Sequence, residues 1–162
     1  DTMRKIDSKL LVRYILAKHG PCDHLKLQKL LYYIEAWHLV FFEESIVDDE
    51  FEAWVHGPVS RKIWNYVKDH SQLYRTVSLK ASLQATTIAA VEAELDPSQV
   101  ELIQDVLNEY GARTSYHLEN LTHSELPWIE ARKGLEPDES SNRPISRTTM
   151  RSFYRSLLKT NG

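Results

Sequence analysis

Apolar residues recur every three or four positions through most of the chain, which is the spacing of one face of an α-helix. The longest such run has seven positions: Leu27, Leu30, Leu31, Ile34, Trp37, His38 and Phe41. Asp23 stands just before this run and is the expected N-cap, because its carboxylate can accept hydrogen bonds from the free N–H groups of the first turn. A shorter helix with an N-cap at Asp7 or Ser8 precedes it and ends at Gly20.

The second half of the chain carries similar local helix signals. Asp96-Pro97-Ser98-Gln99 combines an N-cap, a proline at the first helical position and the glutamine of a capping box. Gly111 is expected to end that helix. Two shorter helices are predicted over 115–121 and 127–133, and a final helix is predicted to start at Ser146.

The helical pattern is interrupted between the second helix and Gly57. Ile46-Val47 and Phe51–Val55 predict two short strands of a hairpin, with the acidic residues 48–50 as its turn. Gly57-Pro58 is expected to end the hairpin, and Val59 to begin the apolar face of the next helix. Strands this short are stable only when they pack on other elements, so the hairpin is expected to lie against the helices.

Residues 71–95 lack a clear period and are expected to form a loop with short extended pieces, followed by a helix over 87–94. The predicted fold class is mainly α: a compact helical bundle of about six to seven helices with one small β-hairpin. The domain is expected to span 8–134. An exposed loop over 135–144 and a C-terminal helix over 145–160, packed on the domain or extending from it, complete the chain.

Composition and charge restrict the class of protein. With 162 residues, four Trp and eight Tyr, the chain can bury one hydrophobic core. A formal net charge of −3 argues against a general nucleic-acid binder. Unbroken apolar runs such as Leu39 to Phe42 are far too short to span a membrane. The single cysteine, Cys22, cannot form an internal disulfide and is typical of a reducing compartment, so a cytoplasmic protein is expected.

No segment nominates a catalytic or cofactor-binding residue. His19, Cys22 and His24 are close enough in sequence to suggest metal ligands, but a fourth ligand is not evident and His19 also suits the end of a helix. Glycine-rich phosphate loops, His-Glu-x-x-His motifs and nucleophile elbows are absent from the sequence. We therefore expect a protein that is not an enzyme and has no catalytic residue, no metal and no cofactor.

Three features are candidates for binding a partner. Six acids lie within ten positions: Glu43, Glu44, Asp48, Asp49, Glu50 and Glu52. A basic stripe recurs every four residues on the final helix: Arg147, Arg151, Arg155 and Lys159. Trp64 is the third feature, because the apolar face of its helix can be buried without it. Exposed tryptophans are frequent in interfaces. Each feature has a purely structural alternative: the acids can form a hydrated turn, the basic stripe can be a hydrated helix face, and Trp64 can pack in the core. The candidate partner-binding residues are Asp48, Asp49, Glu50, Glu52, Trp64, Arg147, Arg151 and Arg155.

Three segments together resemble a known family. They are Leu27-Gln28-Lys29-Leu30-Leu31-Tyr32-Tyr33, Glu52-Ala53-Trp54-Val55-His56-Gly57-Pro58-Val59 and Leu121-Thr122-His123-Ser124-Glu125-Leu126-Pro127-Trp128. In order and spacing they are similar to the Panacea domain of the SocA-like antitoxins, which is also seen in the phage-associated GepA proteins. The resemblance covers roughly residues 8–134. The segment before the hairpin departs from the family pattern, because 44–47 contains neither Gly nor Pro.

The motif residues make physical sense as a scaffold. They are Leu30, Tyr33, Trp54, Gly57, Pro58, Val59, Thr122, His123, Pro127 and Trp128. Gly57-Pro58 can form a rigid turn that fixes the hairpin exit. Thr122 and Glu125 have the spacing of a capping box.

The resemblance implies an antitoxin that neutralises a cognate toxin, encoded in the same operon, by direct protein–protein binding, with a role in phage defence. One branch of the family instead acts as a proteolytic adaptor that delivers its toxin to a AAA+ protease. A DNA-binding autoregulator of its own operon is a further alternative, which would use the basic stripe, but the acidic charge balance counts against it. A hydrolase or nuclease with dispersed residues ranks last. No membrane partner is expected, and nucleic acid is the less favoured partner.

The acidic residues suit a partner with a basic cleft, which toxins that handle nucleotides or RNA tend to have. We therefore expect that replacing Asp48, Asp49 and Glu50 by Ser weakens complex formation, and more strongly at low salt.

Overall fold

The structure of the protein, a computed structural model, describes residues 2–68 and 75–160. These residues form eight α-helices: α1 Ser8–His19, α2 His24–Phe42, α3 Arg61–Val67, α4 Ala81–Glu94, α5 Pro97–Tyr110, α6 Ser115–His123, α7 Leu126–Ala131 and α8 Arg147–Thr160. They also form four short strands: β1 Cys22–Asp23, β2 Phe51–Trp54, β3 Gly57–Ser60 and β4 Thr76–Val77. The fold is mainly α, as the periodicity predicts, with two small antiparallel sheets where one hairpin was expected.

Helix α2 is the central element of the bundle, and α1, α5, α6 and α8 all pack against it. Nearly every residue of α2 is buried, polar residues included. Its N-cap is Asp23, whose Oδ1 accepts a hydrogen bond from the N–H of Lys26 at 2.8 Å. Asp7 caps α1 in the same way and accepts from the N–H of Lys9 at 2.8 Å. Both caps confirm the predictions made from local sequence.

The C-terminal helix α8 packs on α2 and α7. Met150 and Tyr154, one turn apart, have no exposed surface. The helix begins at Arg147, one residue after the predicted start at Ser146. The segment before it lies along the hairpin, because the carbonyl of Arg143 accepts a hydrogen bond from the N–H of Ala53 at 2.8 Å. Helix α8 is therefore packed on the bundle.

The hairpin lies later in the chain than the sequence pattern predicts. Strands β2 and β3 pair antiparallel, with Phe51 opposite Ser60 and Trp54 opposite Gly57. The turn is therefore at residues 55–56, and the acidic residues precede the first strand. Val59, expected at the start of a helix, lies within β3. The turn assignment and the placement of Val59 were wrong.

The predicted strand at Ile46-Val47 is a loop, because its backbone groups bond to partners outside any sheet. The N–H of Ile46 donates to Oε1 of Glu35 on α2 at 2.9 Å. The carbonyl of Ile46 accepts from the N–H of Ile6 at 2.9 Å. A buried helix side chain and the N-terminal segment therefore supply the hydrogen bonds that a neighbouring strand would have supplied.

Helix α4 begins at Ala81, well before the predicted start at Thr87. Only Thr87 and Val91 are buried on this helix, so it has no continuous apolar face for a periodicity argument to detect. The expectation of short extended pieces is confirmed at Thr76–Val77, which pairs antiparallel with β1. Residues 71–74 of the predicted loop lie outside the described residues.

The predicted capping box at Thr122 and Glu125 does not form. Helix α6 continues through His123, and the hydroxyl of Thr122 donates back to the carbonyl of Glu119 at 2.9 Å. Glu125 stands at the N-cap position of α7, but its carboxylate accepts hydrogen bonds from buried tyrosines. Tertiary partners have replaced the local ones.

Among the helices of residues 2–68 and 75–160, none combines the length and the apolar character needed to cross a bilayer.

Candidate functional site

The motif residues meet around the hairpin and the helices beneath it. Eight of the ten are buried, and Trp54 and His123 are half-buried. The indole Nε1 of Trp128 donates to the carbonyl of Trp54 at 2.8 Å, which joins α7 to β2. Gln28 on α2 exchanges two hydrogen bonds with the backbone of Ser60, at 2.9 and 3.1 Å, which joins α2 to β3. The three motif segments thus form one packed unit.

Gly57 is required where the hairpin crosses α2 and α6. Its φ of +116° is a conformation that L side chains rarely adopt. A Cβ at this position would stand 3.0 Å from Cε of Lys29 and 3.1 Å from Oγ1 of Thr122. Any larger residue would therefore strain the backbone and push the hairpin away from both helices.

Three buried polar atoms near the hairpin have no hydrogen-bond partner among the described residues: Nζ of Lys29, Nδ1 of His24 and Nε2 of His123. Burial lowers the pKa of Lys29 to about 8, although the carboxylates of Glu119 and Asp23 oppose the shift. Burial also lowers the pKa of His24 to about 4. Sequence reasoning passed over Lys29, which stands in the motif between apolar neighbours and carries no local sign of its burial.

The acidic residues between Glu43 and Glu52 do not form one exposed patch. Asp48 is exposed and pairs with Nζ of Lys5 at 2.6 Å, and this hydrogen bond lowers the pKa of its carboxyl. Glu50 is also exposed. Glu52 is half-buried and pairs with Arg61 at 2.9 Å.

Asp49 lies inside the protein, in contrast to its neighbours. Its Oδ2 accepts hydrogen bonds from the hydroxyls of Ser8 at 2.7 Å and Ser60 at 2.6 Å. This carboxylate therefore joins the start of α1 to the end of β3. A test of the acidic residues as a binding surface must leave Asp49 in place and replace Asp48 and Glu50 alone.

The basic stripe of α8 contacts acids of the same chain. Nε of Arg147 donates to Oε2 of the fully buried Glu35 at 2.9 Å, and the same guanidinium donates to the carbonyl of Asp49. Arg151 pairs with Glu43 at 2.5 Å, and Arg155 stands 4.0 Å from the same carboxylate. The two charged features that the sequence nominates separately are thus partly partners of each other.

Trp64 is half-buried beside the hairpin. Its ring stacks on His24 at a centroid distance of 5.0 Å and meets the edge of Trp54 at 5.6 Å. Close by, an open groove of about 630 Å³, the hairpin groove, is lined by Trp54, His56, Arg61 and the segment 140–142 among others. Two of the predicted features, Trp64 and the motif residue Trp54, therefore meet at one place.

A second groove, here called the apolar groove, runs between α2, α5, α6 and α8 and has a volume of about 480 Å³. Its lining is mostly apolar and aromatic: Trp37, Phe41, Leu102, Val106, Tyr110, Leu121, Leu157 and Leu158. Phe41 is 55% exposed and Leu158 is 43% exposed. No pattern in the sequence indicates this groove, because its residues come from four helices that are distant in the chain.

The buried carboxyl of Glu125, a titratable group, lines the apolar groove. Oε1 of Glu125 accepts hydrogen bonds from the hydroxyls of Tyr33 and Tyr154, each at 2.8 Å. Burial raises the pKa of Glu125 to about 7, against the effect of the two hydroxyls. Tyr33 also stacks on Tyr110 at 4.0 Å. The sequence placed Tyr33 in the scaffold but gave Glu125 only a capping role.

The residues considered as metal ligands have other roles. Within residues 2–68 and 75–160, no three His, Cys, Asp or Glu side chains gather closely enough to hold a metal ion. Nε2 of His19 lies 2.8 Å from the carbonyl of Gly111, which links α1 to the end of α5. Burial raises the pKa of the Cys22 thiol to about 12, so it stays protonated and is a poor metal ligand at neutral pH.

A protein-family comparison identifies the class of this protein. The model described as antitoxin SocA-like, Panacea domain, matches residues 27–129, which is more than half of the chain. The protein therefore belongs to the SocA-like, Panacea-domain antitoxin family, and this membership supports an antitoxin-type role. The match confirms the resemblance inferred from the three motif segments. Helices α1 and α8 lie outside the matched residues. No curated protein and no solved structure was found to match the chain.

Proposed function

We propose that this protein is a cytoplasmic antitoxin that neutralises a protein toxin, encoded in the same operon, by binding it directly and without catalysing a reaction. The observation that carries the proposal is the match of an antitoxin family to residues 27–129. A direct-binding mode needs a surface that a partner can cover, and the apolar groove with its exposed Phe41 and Leu158 is such a surface.

The side chains in the matched region favour binding over chemistry. A catalytic acid or base has to reach a substrate. Instead, Glu35 and Asp49 bond to groups of their own chain, and Lys29 has no exposed surface. The motif residues hold the hairpin against the helices, so the family signature stabilises the domain that presents a surface.

The test is co-expression with the product of the adjacent gene, scored for growth and for co-purification. We expect the neighbour alone to stop growth, and this protein to restore growth and to elute with the neighbour as a complex. Gly57→Val serves as the control, because the strained backbone and the contacts with Lys29 and Thr122 predict a less stable fold and hence weaker rescue. A harmless neighbour would overturn the proposal.

The other modes of action give different outcomes in the same experiment. Rescue without a complex, with toxin levels that fall only in cells containing the AAA+ protease, would identify a proteolytic adaptor. Rescue with a fall in the operon transcript and a salt-dependent shift of promoter DNA would identify an autoregulator. Since Arg147 and Arg151 are already paired with Glu35 and Glu43, less of the basic stripe is available for phosphate than the sequence suggests.

A further inference from the structure

The apolar groove is the place where this bundle leaves large apolar side chains from several helices incompletely covered. The rings of Trp37 and Phe41 lie 5.9 Å apart on the α2 side, and Leu157 and Leu158 line the α8 side. Exposed apolar surface that is contiguous and bordered by polar residues marks an interaction site more often than isolated exposed residues do. The groove is therefore a surface that a partner would cover.

The apolar groove follows one face of α5. On α5 its lining residues are Leu102, Asp105, Val106, Glu109 and Tyr110, which is the spacing of one helical face. At 1.5 Å per residue these positions extend over roughly 12 Å, or a little more than two turns. A partner helix laid in such a groove places apolar residues at positions i, i+3 or i+4, and i+7 on the floor.

The walls of the groove differ in charge. On the α5 side Asp105 makes no ion pair or hydrogen bond with any described residue, whereas Glu109 pairs at 2.9 Å with Arg113, which also lines the groove. Glu101 stands one turn before Asp105 on the same helix and is exposed. The α8 side contributes only leucines to the lining. A partner helix therefore needs basic residues on the flank that faces α5.

We infer that the apolar groove binds an amphipathic helix of the partner toxin, with apolar anchors between Phe41 and Leu158 and with a Lys or Arg residue opposite Asp105. This inference rests on the proposed function and specifies its binding surface. A second copy of this chain is the less suitable occupant. A groove-to-groove dimer would bring two acidic α5 walls into one interface, where like charges repel.

The first test measures the affinity of the full chain for the purified toxin. Leu158→Glu and Phe41→Ser are each expected to raise Kd at least tenfold and to impair growth rescue, since both remove an exposed anchor. Leu83→Glu on α4 is the matched control, because Leu83 is 45% exposed but lies outside the groove, and its Kd is expected to change less than twofold. Thermal unfolding of each variant shows that the fold is intact. Asp105→Lys is expected to raise Kd severalfold and to reduce its dependence on salt.

The second test identifies the occupant. The photoreactive amino acid p-benzoylphenylalanine replaces Leu158 in the complex, and mass spectrometry locates the crosslinked segment. A crosslink to an amphipathic helix of the toxin with a basic flank is expected. A crosslink to a strand or loop, a crosslink to a second copy of this chain, or no crosslink would overturn the inference.

The outcomes also distinguish this inference from the function on which it rests. If the wild-type chain binds and neutralises the toxin while folded Leu158→Glu and Phe41→Ser bind equally well, the toxin binds elsewhere and only the inference fails. If the wild-type chain neither binds nor neutralises the toxin, the proposed function itself fails.

Discussion

Two buried glutamates hold the C-terminal helix to the bundle, and they do so by different chemistry. Glu35 on α2 pairs with the first residue of α8, Arg147, and also accepts the backbone N–H of Ile46. Glu125, at the start of α7, accepts the hydroxyls of Tyr33 and Tyr154. Burial raises the pKa of both carboxyls. At Glu35 hydrogen bonds from Ser45 and from the Arg147 guanidinium oppose this rise in pKa, whereas at Glu125 the neutral phenols oppose it.

The difference shows that burial alone does not determine the charge of a side chain. At Glu35 the groups that oppose the shift, among them the Arg147 guanidinium and the Ile46 N–H, favour the charged form of the carboxyl. A carboxyl facing phenols, with a pKa near 7, changes its charge within the physiological range. One end of α8 is therefore fixed by an ion pair, and the next two turns are held by a contact that depends on pH.

The largest expected effect is on Glu35. Glu35→Ala removes the carboxylate that accepts from the Arg147 guanidinium and the Ile46 N–H, and we expect it to lower the free energy of unfolding by about 4 kcal/mol, measured by urea denaturation. The double variant Glu35→Leu with Arg147→Met should recover part of the loss, because it also removes the unpaired cation. Complete recovery would contradict a contribution from the backbone hydrogen bond.

The second prediction concerns the pH dependence at Glu125. Between its ordinary pKa of 4.5 and the folded value of about 7, the folded protein holds a proton here that the unfolded chain has released. This proton therefore stabilises the fold by about 3 kcal/mol below pH 4.5, and the stabilisation is lost as pH rises through the folded pKa of about 7.

Glu125→Gln tests this sign. Gln has no proton to lose and can still accept both tyrosine hydroxyls. We therefore expect its free energy of unfolding, relative to wild type in urea denaturation, to rise by most of that amount between pH 4.5 and pH 8. Groups that titrate equally in both proteins cancel in the difference. A difference that is independent of pH would show that Glu125 is already ionised when buried.

A third buried carboxylate, Asp49, separates hydrogen bonding from charge pairing. It accepts two serine hydroxyls, as Glu125 accepts two phenols, and we expect Asp49→Asn to cost about 1–2 kcal/mol of unfolding free energy, because the hydroxyls then bond to a neutral amide oxygen, which is a weaker acceptor than a carboxylate oxygen. Asp48→Asn is the matched control on the neighbouring exposed residue. It should leave the midpoint of urea denaturation unchanged, and equal losses in the two variants would contradict the burial of Asp49.

The smallest expected effect is on the exposed ion pair of α8. Glu43 is mostly exposed and pairs with Arg151, so Glu43→Gln should change the free energy of unfolding by at most about 0.5 kcal/mol. This small change should disappear in high salt, because exposed charges are screened. Urea denaturation at low and high salt measures it. A loss as large as that at Glu35 would show that the exposed pair also anchors the helix.

Local sequence signals predicted the helices well. The caps at Asp7 and Asp23 and the capping box of Asp96 and Gln99 all form where they were predicted. Each signal involves residues within one turn of a helix, and its energy does not depend on the rest of the fold. The predictions failed where partners are distant in the chain, as at the Ile46-Val47 loop and at the capping box expected of Thr122 and Glu125.

The sequence by itself determined the mainly helical class, the ends of the strongest helices and the antitoxin family, because capping, periodicity and motif spacing are local properties of the chain. Only the tertiary structure decided which charges are available to a partner. Arg147 and Glu35 are 112 positions apart, and Tyr33 and Glu125 are 92 apart, so no local pattern connects them. The apolar groove likewise exists only because α5, α6 and α8 pack around α2 and leave Phe41 and Leu158 partly uncovered.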